Sequence, residues 1–211
     1  MTMIPLRLFP WILGLLAFSS VQCAQSSTAP AVPAEACAGD RPGAPCFVTR
    51  IMCVGDSNTQ GGADLPSYRY PLWFDLQAAG SLVDFVGTQF VTVGENGTTQ
   101  PNLTQFPEYY TSFDRDHEGY SGYRTDELLP LLAPAVAMDC PDVCVLLMGT
   151  NDIGQRGAIG AQEALIGLEE LVKEVRSQAP ATMFLIGTLP PIGPGSFYFA
   201  NEAFVPQFNG D

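Results

Sequence analysis

The sequence predicts an α/β protein, a three-layer α/β/α sandwich around a parallel sheet. Three observations predict it. Short uninterrupted apolar runs recur, as in strands buried on both faces. Segments with a helical period lie between those runs. The order strand, helix, strand, helix repeats along the chain, which requires right-handed crossovers between parallel neighbours. No internal repeat interrupts the pattern.

The first apolar run is Phe47 to Val54, with Ile51, Met52, Cys53 and Val54 consecutive. It passes directly into Gly55-Asp56-Ser57 and a turn ending in Gly61-Gly62. Tyr70 to Ala79 sets Leu72, Trp73, Leu76 and Ala79 on one helical stripe, with Gly80 as its stop. Val83 to Val86 is a second strand, closed by Gly87. Thr88 to Asp116 shows no period and reads as a long irregular stretch. Thr125 to Ala133 is expected as a short helix; Asp126 and Glu127 favour its first turn and Pro130 limits its extent. Asp142 to Met148 is a third strand, followed by Gly149-Thr150-Asn151-Asp152. The clearest helix carries Ala161, Leu165, Leu168, Leu171, Val172 and Val175 at three- and four-residue steps, and Pro180 stops it. Met183 to Gly187 is a fourth strand, and Leu189-Pro190-Pro191 leads into an irregular tail.

The flanks and the composition bound the function. Arg7 precedes an apolar stretch, Leu8 to Phe18, which ends in the small and polar residues Ser19 to Ala24. Residues 1–24 therefore read as a secretory signal peptide, with cleavage after Cys23 or Ala24. The stretch is too short for a membrane span of about 20 apolar residues, and Gln22 speaks against a lipid anchor on Cys23. Residues 25–46, rich in Ala, Pro, Ser and Gly, form a linker or irregular arm, and residues 47–211 one domain. A secreted protein with no membrane partner after signal removal is expected. The net charge of -13, with nine Lys plus Arg and no basic cluster, excludes nucleic acid as a partner. Six cysteines suit an exported chain: Cys37 and Cys46 make the natural pair, Cys53 is a buried apolar residue, and the connectivity of Cys140 and Cys144 stays open. With one histidine and no CxxC pair, a zinc site is excluded and no cofactor is expected. Two glycosylation sequons, Asn96-Gly97-Thr98 and Asn102-Leu103-Thr104, fall in the irregular stretch.

Three pieces fall at the same edge of the predicted sheet. Ser57 follows the first strand and Asn151 the third. Gly119-Tyr120-Ser121-Gly122 lies between the second strand and its following helix. Neighbouring parallel strands stand about 4.8 Å apart, so groups at their carboxyl ends can share one pocket. Acyl transfer needs such a set: a hydroxyl to attack the carbonyl carbon and donors for the oxyanion that develops. Ser57 is the candidate nucleophile; its N–H, the Gly122 N–H and the Asn151 amide are the candidate donors, each worth about 3 kcal/mol in the transition state. Glycine at 122 is expected to let the backbone approach without a Cβ in the way. A phosphate-binding reading of the Gly-Asp-Ser turn lacks the lysine that accompanies a P-loop.

Gly55-Asp56-Ser57, Gly122 and Gly149-Thr150-Asn151-Asp152 resemble the first three sequence blocks of the SGNH (GDSL-type) hydrolases. Asp116 to Asp126, Tyr68-Arg69-Tyr70-Pro71-Leu72-Trp73, Asp84-Phe85-Val86-Gly87 and Val205-Pro206-Gln207-Phe208-Asn209 are similar to the family-three carbohydrate esterases, which include acetylxylan esterases. The resemblance implies a flavodoxin-like sheet of five parallel strands, Ser57 as nucleophile, and Ser57, Gly122 and Asn151 as oxyanion donors, with Asp152 supporting the turn. It also implies a secreted esterase that removes acetyl groups from carbohydrate or another small ester. The family's last block, Asp-x-x-His after a fifth strand, has no counterpart here, so a fragment with four of the five strands is expected. His117 matches a histidine whose ring the oxyanion loop holds, and a structural role is expected for it. The alternative function is a secreted carbohydrate-binding protein that cleaves nothing. Tyr120, Tyr123, Tyr109, Tyr110 and Phe113 are either a sugar platform or local packing.

Overall fold

Thr49–Gly55 forms strand β1, and Ile51 to Gly55 are buried within it. The computed structural model describes residues 48–62, 67–92 and 102–210. The leader, the 25–46 arm, Cys37, Cys46 and the Asn96 sequon lie outside them. β2 (Val83–Val86) runs parallel to Thr49–Met52 of β1, and β4 (Val143–Leu147) runs parallel to Ile51–Gly55 on the other side. β5 (Met183–Ile186) extends the sheet beyond β4. The order is β2-β1-β4-β5, a parallel path of the four expected strands. A further strand, β3 (Glu118–Gly119), pairs with Val54 and Gly55 where β2 has run out. Two residues show no period, so no sequence pattern announced it.

The helices cover both faces. Met52, Val54, Val86, Cys144 and Leu146 meet Leu128, Leu132 and Val136 of α3 (Thr125–Asp139) and Leu171 and Val175 of α4 (Thr150–Gln178). Successive strand residues point to opposite faces, so Phe85 looks the other way from Val86. There it packs edge-on against Trp73 of α2 (Arg69–Ala78), centroids 5.1 Å apart, beside buried Leu72 and Leu76. Each such side chain contributes about 1.5–3 kcal/mol by leaving water. Cys53 is a buried free thiol, as its strand position predicted, and so is Cys144.

Three expectations from sequence need correcting. α3 runs through Pro130 and Pro134 to Asp139 instead of ending at Ala133. Both prolines face solvent, four residues apart, so water can satisfy the carbonyls they leave without a donor. The buried stripe Leu128, Leu132, Ala135 and Val136 holds the other side. α4 begins at Thr150, well before Ala161, with a break at Gly157 (φ 58°, ψ -132°). Glycines at 154, 157 and 160 hid this first segment from a reading based on apolar period. The tail is not wholly irregular: a 3₁₀ turn, Phe199–Asn201, precedes α5 (Phe204–Asn209). Val205, Leu189, Ile192 and Ile153 form a second small core there.

Candidate active site

The chain leaves β1 towards β2 on one side and returns to β4 on the other. Such a reversal opens a crevice at the carboxyl ends of the two central strands. β1 ends in Gly55, where a Cβ would stand 2.1 Å from Thr59 Oγ1 and 2.5 Å from the Leu147 carbonyl. Only glycine allows β1, β4 and the following turn to close this tightly. Asp56 then caps the short helix α1 (Ser57–Gln60), its Oδ1 accepting from Asn58 N (2.8 Å) and Asn58 Nδ2 (3.0 Å). Its Oδ2 is buried and makes no hydrogen bond to the described residues. Burial accordingly pushes this carboxyl up to about 6, against the opposing hydrogen bonds from Asn58. Ser57 is half-buried and first in α1, so its N–H has no acceptor within the helix.

Two contacts tie this turn to its neighbours. Asn58 Nδ2 donates to Thr150 Oγ1 (3.1 Å) at the start of α4. Gln60 Oε1 accepts from Ser121 N (2.9 Å) in the loop after β3. That loop is tied in turn to α4, because Asn151 Nδ2 donates to the Tyr123 carbonyl (2.8 Å). The segments bearing Ser57, Gly122 and Asn151 are thus joined pairwise by side-chain hydrogen bonds around the crevice. Asp152 accepts from Thr125 N and from Thr125 Oγ1 (2.8 Å), which anchors the start of α3. That is a supporting role, as the resemblance implied.

Within the loop almost every backbone group has a partner. Tyr120 N donates to the Gly55 carbonyl (2.9 Å) and Tyr123 N to the Tyr120 carbonyl (3.2 Å). The Gly122 carbonyl accepts from Gln155 Nε2 (3.3 Å). The Ser121 carbonyl and the Gly122 N–H are the exceptions, and the latter is a donor with no acceptor among the described residues. A Cβ at Gly122 would meet no protein atom within 4 Å, and its φ of +83° is a conformation that glycine adopts without strain.

His117 is buried, and both ring nitrogens are engaged. Nδ1 accepts from Gly119 N (2.9 Å), so Nε2 carries the proton and donates to the Val91 carbonyl (3.2 Å). Burial, reinforced by the Arg69 charge, holds its pKa down to about 3. The ring supports the loop and offers Ser57 no lone pair. No group of His, Cys, Asp and Glu suited to a metal ion occurs among the described residues. Tyr109 and Phe113 are core residues packed on Tyr70, Tyr110 and each other, which excludes those two rings as a sugar platform.

Sequence reasoning missed Arg69. Its guanidinium, 1% exposed, donates to the carbonyls of Thr59 (2.8 Å), Gln60 (3.1 Å) and Arg115 (2.8 Å) and to Ser67 Oγ (3.1 Å). The turn that carries Ser57 therefore rests on a buried cation. The signal was present: Arg69 lies three residues before Leu72 and seven before Leu76, on the apolar stripe itself.

Residues 53–210 match the GDSL-like lipase/acylhydrolase family. A multidomain esterase of Ruminococcus flavefaciens is 29% identical over 177 residues, 77% of this chain; the chain spans 21% of that relative's length. Among solved structures, a family 3 carbohydrate esterase of Clostridium thermocellum is 28% identical, with a TM-score of 0.54 over 77% of this chain and 73% of that one. A carbohydrate esterase family 3 protein from Talaromyces cellulolyticus shares the fold at 23% identity and a TM-score of 0.56, over 76% and 72% of the two chains.

Proposed function

The chain belongs to the GDSL-like lipase/acylhydrolase family, and on that premise we propose that it is a secreted serine esterase for short acyl esters of carbohydrate. Ser57 Oγ attacks the ester carbonyl carbon while a base takes its proton. The oxyanion that forms meets the Ser57 N–H, the Gly122 N–H and the Asn151 amide. The alcohol leaves with a proton, and water releases the acetyl group from Ser57. The observation that carries this reading is the Gly122 N–H, which has no acceptor among the described residues, in a loop tied through Gln60 to the turn that bears Ser57 at the strand-order reversal. The esterase relative supports ester cleavage, and the family 3 carbohydrate esterase at 28% identity supports the substrate class.

His117, the one histidine of the sequence, is committed to the loop. The experiment therefore supplies a base. Imidazole added with p-nitrophenyl acetate should release p-nitrophenolate faster than imidazole and protein do separately, and Ser57→Ala should remove the excess. An excess that survives in Ser57→Ala, or none at all, sinks the nucleophile assignment. Acetate release from acetylated xylo-oligosaccharide under the same conditions tests the carbohydrate class.

Export is supported by the leader pattern of residues 1–24 and by the exposed sequon residue Asn102. A mature protein beginning at Met1 would overturn it. The engagement of His117 also favours a second reading, a carbohydrate-binding protein without turnover. Saturable binding of the acetylated oligosaccharide, with no acetate released even in imidazole, would establish that one instead.

A further inference from the structure

Gly122 sits between two backbone groups that are held from opposite sides by glutamines. On one side, Gln60 of α1 places Oε1 2.9 Å from Ser121 N, and its Nε2 donates to the Val91 carbonyl (3.2 Å). On the other, Gln155 of α4 donates through Nε2 to the Gly122 carbonyl (3.3 Å). Gln155 is itself oriented: Oε1 accepts from Arg124 Nη1 (2.8 Å), which fixes which end of the amide faces the loop, and Nε2 also reaches Tyr198 Oη (3.4 Å). A glycine at φ +83° has no side chain to hold its peptide planes, so contacts on the neighbouring groups must set where its N–H points.

We propose that Gln60 and Gln155 are positioning residues that jointly aim the Gly122 N–H at the oxyanion of the acyl centre on Ser57. The proposal rests on the esterase reading. The two amides act with opposite polarity. Gln60 must offer an acceptor to Ser121, whereas Gln155 must offer a donor to the Gly122 carbonyl. Carboxylates accept and cannot donate, so Gln→Glu should separate the two positions. Both residues lie at the surface or half-buried, so truncation leaves no buried void.

The test measures kcat and KM for p-nitrophenyl acetate in imidazole, with thermal unfolding as the check on folding. Loss of aim acts on the transition state alone, so it lowers kcat and leaves KM nearly unchanged. A displacement of about 1 Å costs up to 100-fold, so Gln60→Ala and Gln155→Ala should each lower kcat roughly 10- to 100-fold. Gln60→Glu should recover most of what Gln60→Ala loses, and Gln155→Glu should recover nothing over Gln155→Ala. Equal behaviour of the two Glu variants, a KM effect in place of a kcat effect, or alanine variants as fast as the parent would each overturn the proposal. A parent with no Ser57-dependent rate overturns the esterase reading and this inference with it. A parent with that rate and indifferent glutamine variants overturns only the inference.

Discussion

Replacing His117 by Asn tests how the loop is held, because it turns a geometric statement into a pH dependence. An Asn amide oxygen can still accept from Gly119 N, as Nδ1 does, while the bond to the Val91 carbonyl is lost. That carbonyl keeps Gln60 Nε2 as a donor, so no buried acceptor is orphaned. The variant should therefore cost about 2 kcal/mol at neutral pH, one hydrogen bond plus the volume of part of a ring. In the wild type the folded imidazole stays neutral down to about pH 3, whereas an ordinary imidazole titrates near 6.5. Its contribution to stability is thus complete above pH 6.5 and is lost as pH falls towards 3, because the unfolded chain then binds a proton that the folded one refuses. At pH 4.5 the loss has run over two pH units, which at about 1.4 kcal/mol per unit amounts to about 3 kcal/mol. His117→Asn carries no such loss. Urea unfolding of both proteins at pH 7.5 and 4.5 should show the variant about 2 kcal/mol weaker at the higher pH and equal or stronger at the lower. Titrating carboxylates affect both proteins alike and drop out of the difference. A difference that does not change with pH would refute the buried neutral imidazole, as would an NMR spectrum showing the proton on Nδ1.

Two further outcomes follow from the crevice. Gly149→Ala forces a φ of 125° on alanine and sets its Cβ 3.0 Å from Phe208 Cζ and 3.2 Å from Leu189 Cδ1. A loss of about 2 kcal/mol is expected, seen as a fall in Tm of roughly 4–8 °C; a fall under about 1 °C would show that α5 gives way freely. Asp56→Asn should change stability with the opposite pH sense to His117. The Asp56 carboxyl is raised from 3.8 to about 6, so its burial costs nothing below 3.8, costs more as pH rises to 6 and is constant above. Relative to wild type the Asn variant should gain up to about 3 kcal/mol between pH 3.5 and 7, and denaturant curves with no such gain would place the charge in water.

The sheet was legible because its strands are mostly apolar and end in Gly or Gly-containing turns, as Ile51–Val54 and, with Asp84 interposed, Val83–Val86 do. The turns that carry Ser57 and Asn151 were legible because each directly follows an apolar strand, β1 or β4. What escaped was whatever depends on long-range hydrogen bonding. β3 exists because the carboxyl end of β1 has an open edge beyond β2, which a two-residue segment cannot signal by itself. Arg69 was hidden because a charged side chain on an apolar stripe is ordinarily read as an interruption; here the carbonyls of Thr59, Gln60 and Arg115, together with nearby Ser67 Oγ, complete it. Gln60 and Gln155 looked like surface amides, and only the folded loop gives each its partner. The extension of α3 past Pro130 escaped because local propensity opposed a helix that tertiary burial sustained.

The break at Gly157 divides α4 into a short lever and a long rod. The lever bears Asn151, Asp152 and Gln155, and the rod bears Leu171 and Val175 against the sheet. Asn201 bridges the joint, its Nδ2 donating to the Gly154 carbonyl (2.9 Å). The bend at Gly157 thus folds the long segment back onto the short one, where Gly160 fits against the Asp152 carbonyl in a space that a Cβ could not enter.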